Sequence, residues 1–153
     1  MKVLVVCMGN ICRSPTGEAI LRTKAENRGL LVEVESAGTI DYHHGEKPDS
    51  RAMQAAKARG YSFAGKRARG VTQEDFYYFD RILAADRQNL ADLQAMCPEE
   101  YQHKLGLFLE GAGLETDEIP DPYYGGEEGF EHVLNLVESA SDHILEQMSH
   151  RAA

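Results

Sequence analysis

Lys2-Val3-Leu4-Val5-Val6-Cys7-Met8-Gly9-Asn10-Ile11-Cys12-Arg13-Ser14-Pro15 is the stretch that decides the fold. Residues 2–6 form a short unbroken apolar run rich in Val, the pattern of a parallel strand buried on both faces. Ser14 reads as the N-cap of a helix with Pro15 in its first position, and Gly29 closes that helix about four turns on. The loop between strand and helix therefore carries a thiol at Cys7, a Gly at its centre and a guanidinium at Arg13. Backbone N–H groups of such a loop and of the first helical turn converge on one spot, favour negative charge there and favour the thiolate of Cys7. A reactive thiolate facing a bound oxyanion implies covalent phosphoryl chemistry.

Working outward, residues 31–36 alternate and read as a second strand, and residues 50–59 form a helix stopped by Gly60. Thr72-Gln73-Glu74-Asp75 resembles a capping box that opens a short helix, and residues 81–85 read as a third strand. Residues 89–96 are helical in pattern, and residues 104–109 are a fourth strand candidate. The terminal helix follows Glu127 and Glu128, with Phe130, Val133, Leu134, Val137, Ile144, Leu145 and Met148 largely on one face. Strands alternating with helices imply βαβ crossovers: an α/β chain with a parallel sheet and helices on both faces. In such a sheet ligands bind beyond the strand carboxyl ends, where Cys7 lies. No linker divides residues 1–153, so one domain is expected, with residues 38–48 and 110–129 as functional loops.

The 153 residues are 42% hydrophobic, enough for one sizeable core. A formal charge of −9 speaks against broad nucleic-acid or anionic-membrane binding, since both need a basic surface. No charged segment precedes an apolar stretch with a small-residue cleavage site, and the opening apolar run is too short to span a bilayer. Three cysteines without framework spacing suit a reducing compartment. The expected location is the cytoplasm.

An Arg six positions after a Cys arises by chance for roughly one Cys in twenty, so the spacing alone is weak. Context strengthens it, because neither Cys12 nor Cys97 has an Arg at that offset, while Cys7 has the strand, the internal Gly9 and the following helix as well. Arg13 offers a planar fork that grips two phosphoryl oxygens and stays charged as they gain charge. The competing reading is an inert buried Cys at a strand end. A second element bears on the choice: Asp121-Pro122-Tyr123-Tyr124-Gly125-Gly126, an acidic loop before the terminal helix. A phosphomonoester's leaving group needs a proton, and Asp121 is the candidate donor. The plain alternative is a turn Asp before Pro.

On Cys7-x5-Arg13-Ser14, Asp121-Pro122-Tyr123-Tyr124-Gly125, Ser36-Ala37-Gly38 and Asp86 to Asn89, the chain resembles the low-molecular-weight protein tyrosine phosphatases over nearly its whole length. The resemblance implies a four-stranded parallel sheet, with Cys7 as nucleophile, Arg13 as phosphate clamp and Asp121 as general acid. It implies neither metal nor cofactor. It further implies a phosphate-binding loop of Met8, Gly9, Asn10, Ile11, Cys12 and Ser14, with Asn10 holding the loop and Ser14 hydrogen-bonding the thiolate. Cys7 would attack phosphorus in line while Asp121 protonates the leaving oxygen, and water would then hydrolyse the phosphocysteine with Asp121 as base.

Ile11, Tyr42, Tyr123 and Tyr124 are the expected substrate-pocket residues. Tyr42 falls where family members carry an aromatic wall; read bare, it is a loop surface residue. Cys12 is either the partner of Cys7 in a protective disulfide or a small packing group. His43-His44 reads as solvated, and so do Lys66, Arg67 and Arg69. The expected partners are tyrosine-phosphorylated proteins, with a bacterial tyrosine kinase among the family's possibilities. Rivals on the same scaffold are arsenate reduction, for which relay cysteines are missing near Cys97, and phosphoarginine hydrolysis, whose relatives carry Thr where Ile11 stands. A non-catalytic phosphate-binding module is the rival from another class.

Overall fold

The computed structural model describes residues 1–122 and 126–152. Strand β1 (Lys2–Cys7) runs through the middle of a four-stranded sheet of order β2-β1-β3-β4. It pairs in parallel with β2 (Glu33–Gly38) on one side and with β3 (Arg81–Ala84) on the other, and β4 (Leu105–Leu107) pairs in parallel with β3. A central strand with both faces covered needs apolar residues at every position, which explains the unbroken run Val3 to Val6. Val3 and Val5 pack into a core with α1 (Arg13–Asn27), α2 (Ser50–Ala58) and α5 (Glu127–Ala152). Leu4 and Val6 pack into the opposite core with Phe76 of α3 (Gln73–Tyr78) and Leu93 of α4 (Arg87–Met96).

The face of α5 marked by the apolar pattern is buried from Phe130 through Met148. Each large aliphatic or aromatic side chain so covered contributes about 1.5–3 kcal/mol. Gly29 and Gly60 end α1 and α2 with φ of 69° and 90°. In α3 the Asp75 carboxylate accepts the Thr72 N–H at 2.8 Å, the return bond of a capping box.

Several expectations shift. Ser14 is not the N-cap of α1: the helix begins at Arg13, Cys12 occupies the cap without a side-chain bond, and the Ser14 hydroxyl is engaged by Cys7. Pro15 is tolerated there because N–H groups of a first turn lack intrahelical partners anyway. Strand β2 starts two residues later than its alternation suggests, leaving Leu31 94% exposed, because pairing with β1 carries it on to Gly38 opposite Cys7. Helix α4 begins at Arg87 because Asp86 caps it, accepting the Asn89 N–H at 2.8 Å. A 3-10 helix at Glu99–Lys104 replaces the start of the expected fourth strand.

Among the described residues, no helix is long and apolar enough to cross a membrane. The parallel arrangement sends the carboxyl ends of β1 and β3 to one edge. There Ile119 bridges two elements: its N–H donates to Ala85 O at 2.8 Å and its carbonyl accepts from Arg13 Nη1 at 3.0 Å. This tie fixes the segment leading to Asp121.

Candidate active site

Loop 8–12 leaves β1 and turns at Asn10, whose φ of 58° lies in the left-handed region that Asn adopts more readily than most residues. The turn aims the Asn10 N–H at Cys7 Sγ, 3.3 Å away, and the Ser14 hydroxyl lies 2.9 Å from the same sulfur. Asn10 Nδ2 donates to Ser14 Oγ at 2.8 Å and to Ser36 Oγ at 3.0 Å, while its Oδ1 accepts the Arg69 N–H at 3.0 Å. Ser14 Oγ also donates to Ala37 O at 3.4 Å, so the hydroxyl is held between Asn10, Ala37 and the Cys7 sulfur.

The support runs deeper. Ser36 Oγ donates to Glu18 at 2.6 Å, Lys66 Nζ lies 3.6 Å from Glu18 and donates to Ser36 O at 2.6 Å, and Arg22 also pairs with Glu18. Burial lowers the pKa of Lys66 against the pull of Glu18. Arg69 grips Asp75 at 2.8 Å. Lys66 and Arg69 are therefore structural members of the site's underside, contrary to their reading as solvated; Arg67 is exposed. Strand β2 also closes on the loop: Thr39 N–H donates to Cys7 O at 2.9 Å and Ile40 N–H to Met8 O at 3.1 Å. A Cβ at Gly38 would sit 2.6 Å from Met8 O, so the approach requires glycine there.

Arg13 is 5% exposed and donates from Nη1 to Asp86 Oδ2 at 2.7 Å. Burial works against its charge, but Cys7, Asp86 and Asp121 together raise its pKa. Burial first, then Asp49, Cys7 and Asp121, push the Cys12 thiol up to about 12, so Cys12 is a neutral thiol at pH 7. The Asp49 N–H donates to Ile11 O at 2.8 Å, tying the cap of α2 to the loop.

A cleft of about 220 Å³ opens over the loop, lined by Cys7, Met8, Gly9, Ile11, Cys12, Arg13, Tyr42, His43 and Asp121. Asn10 and Ser14 lie fully buried beneath it. Tyr42 stands at its rim, 82% exposed, and meets His43 edge to face with centroids 4.9 Å apart. The expected pocket residues Tyr123 and Tyr124 lie outside the described residues. His43 corrects the reading of His43-His44 as solvated: it lines the cleft, while His44 is exposed. Sequence reasoning also gave no role to Asp86, Ser36 or Glu18; the first two sit in stretches that carried the family resemblance, and Glu18 had no signal beyond its place one turn into α1. Among the described residues no three His, Cys, Asp or Glu side chains gather as metal ligands would.

A cysteine at the end of a central parallel strand, wrapped by a loop that aims an N–H at its sulfur and ends on an arginine lining the same cleft, is the pattern of the thiol-dependent phosphatases. The family model for low molecular weight phosphotyrosine protein phosphatase matches residues 2–153, and the chain belongs to that family of hydrolases. It is 44% identical over 150 residues to low molecular weight phosphotyrosine protein phosphatase 2 of Drosophila melanogaster, covering 95% of this chain and 90% of that one. Its fold matches the crystal structure of a protein tyrosine phosphatase from Entamoeba histolytica with Hepes in the active site. That match has a TM-score of 0.95 and 39% identity, covering 100% of this chain and 99% of the other. A Drosophila arginine phosphatase matches with a TM-score of 0.91 and 34% identity, over 97% and 98% of the two chains.

Proposed function

We propose that the protein hydrolyses phosphotyrosine in proteins through a phosphocysteine intermediate. The observation that carries this is the convergence of the Asn10 N–H and the Ser14 hydroxyl on Cys7 Sγ, in the cleft that Arg13 and Asp121 also line. Sulfur attacks phosphorus in line and the P–O bond to the phenol breaks. Asp121 gives its proton to the leaving oxygen, then takes one from the water that cleaves the S–P bond. Loop amides and Arg13 hold the equatorial oxygens, a role suited to a guanidinium kept charged by its neighbours.

Cys7→Ser should fold and bind phosphate yet lose turnover, and rapid quench of the wild type should trap phosphate on Cys7. Near-normal activity in the variant, or no covalent species, would refute the mechanism. The substrates are tyrosine-phosphorylated proteins, a bacterial tyrosine kinase among them, met in the cytoplasm, where the free cysteines suit a reducing medium. Under peroxide, Cys7 would pass to sulfenic acid, and the Cys12 thiol would displace water from it to form a disulfide that thiols reverse.

The likeness to an arginine phosphatase favours one second reading, hydrolysis of phosphoarginine. Ile11 lines the cleft and offers no polar group to a guanidinium. The ratio of kcat/KM on phosphotyrosine over phosphoarginine peptides should favour phosphotyrosine and fall in Ile11→Thr. A wild-type ratio favouring phosphoarginine would reverse the assignment.

A further inference from the structure

The segment that delivers Asp121 is docked on the N-terminus of α4. Of the N–H groups that a first helical turn leaves without intrahelical partners, Asp86 Oδ1 accepts that of Asn89, and Glu118 Oε2 accepts that of Arg87 at 2.9 Å. The helix dipole favours a carboxylate at this end as well. The Arg87 side chain closes over the same segment: Nη2 pairs with Asp117, and Nη1 lies 3.6 Å from Glu118 Oε1. Arg87 is 62% exposed, so those ion pairs contribute little, and the bond to its main-chain N–H carries the attachment.

Ile119, the next residue, is held through its main chain by Ala85 O and Arg13 Nη1. One residue so held is a pivot, and Glu118 supplies the second point that stops rotation about it. Pro120 and Pro122 flank Asp121, each fixing its own φ and restricting the residue before it. Pro122 is buried against α5, where a Cβ at Gly129 would lie 3.6 Å from Pro122 Cβ; that contact is apolar and sets no direction. We propose that Glu118 is a positioning residue for the general acid, holding Asp121 in the cleft by anchoring its segment to the Arg87 N–H. This rests on the phosphatase reading. Asp121 stands two residues past Ile119, about 7 Å of extended chain, so a swing of about 8° moves it about 1 Å. A displacement of that size costs about a hundredfold in rate.

Glu118→Ala should lower kcat/KM on phenyl phosphate about tenfold to a hundredfold, and on p-nitrophenyl phosphate by no more than about threefold, because nitrophenolate leaves with little need of a proton. The Ki of inorganic phosphate should not change, since Glu118 bonds to Arg87 and Thr116 rather than to the phosphate loop. Glu118→Gln keeps an acceptor oxygen for the Arg87 N–H and should restore most of the rate. Arg87→Pro deletes the donor itself and serves if Glu118→Ala folds poorly. Proline is tolerated at a first helical position, and Asp86 before it is already extended, with φ −145° and ψ 175°. Arg87→Pro should repeat the loss, whereas Arg87→Ala keeps the N–H and should fall by no more than about threefold.

A residue that acts through Asp121 has nothing to lose in its absence: added to Asp121→Ala, Glu118→Ala should change kcat/KM on phenyl phosphate by less than about twofold. A further loss of about tenfold in that background, an equal loss on the two substrates, or wild-type kcat/KM in both Glu118→Ala and Arg87→Pro overturns the proposal. If Cys7→Ser still turns over, the phosphatase reading fails. If Cys7→Ser is dead and Glu118→Ala behaves as wild type, only this inference fails.

Discussion

Replacing Asn10 separates two contributions that the loop combines. Its side chain is fully buried, donates to Ser14 and Ser36 and accepts from Arg69, so Asn10→Gly deletes three hydrogen bonds while leaving the φ of 58° without strain. At about 0.5–1.5 kcal/mol for each bond, Asn10→Gly should lose about 2–4 kcal/mol. Asn10→Ala loses the same bonds and adds about 1 kcal/mol for holding a Cβ at positive φ. Alanine should therefore be less stable than glycine here, the reverse of their usual order in compatible backbone. Urea unfolding of the three proteins at one pH measures both differences. In each variant the Ser14 hydroxyl loses the Asn10 donor that holds it beside Cys7, so kcat/KM on p-nitrophenyl phosphate should fall about tenfold to a hundredfold. Wild-type stability in Asn10→Gly, or an alanine variant more stable than the glycine one, would refute the account of the turn.

Asp86→Asn keeps a good cap for α4 but removes the charge beside Arg13. kcat/KM should fall about tenfold to a hundredfold, and a loss of stability alone would limit Asp86 to capping. Cys12 binds its proton more tightly in the folded chain, with a pKa near 12 against 9.0 for the ordinary thiol, so its contribution to stability is present below pH 9 and is lost as pH rises toward 12. Cys12→Ala should flatten the alkaline fall of the unfolding midpoint, and an unchanged slope would contradict the burial of that thiol. Gly38→Ala drives a Cβ to 2.6 Å from Met8 O and 2.8 Å from Ile40 O, both main chain, and should cost about 3 kcal/mol by urea unfolding. A neutral substitution would show that β2 and the loop can separate.

Local sequence alone determined that Cys7 and Arg13 flank one loop, because a buried strand, a glycine-containing turn and a helix start are written in consecutive residues. It also marked the apolar face of α5 and the glycine stops of α1 and α2, which depend on periodicity and on positive φ. What it misjudged depended on partners distant in the chain. Ser14 has the composition of a cap, yet its hydroxyl is taken by Cys7 and Asn10. The bounds of β2 follow its register against β1, not its own alternation. Lys66 and Arg69 look like a surface charge run until packing sets them against Glu18 and Asp75. Only the parallel sheet, by gathering the ends of β1, β2 and β3 at one edge, brings Asp86, Ile119, Asp121 and His43 to the loop. The hydrogen bond from Arg13 to Ile119 alone spans 106 residues of chain, and side-chain periodicity carries no information over such separations.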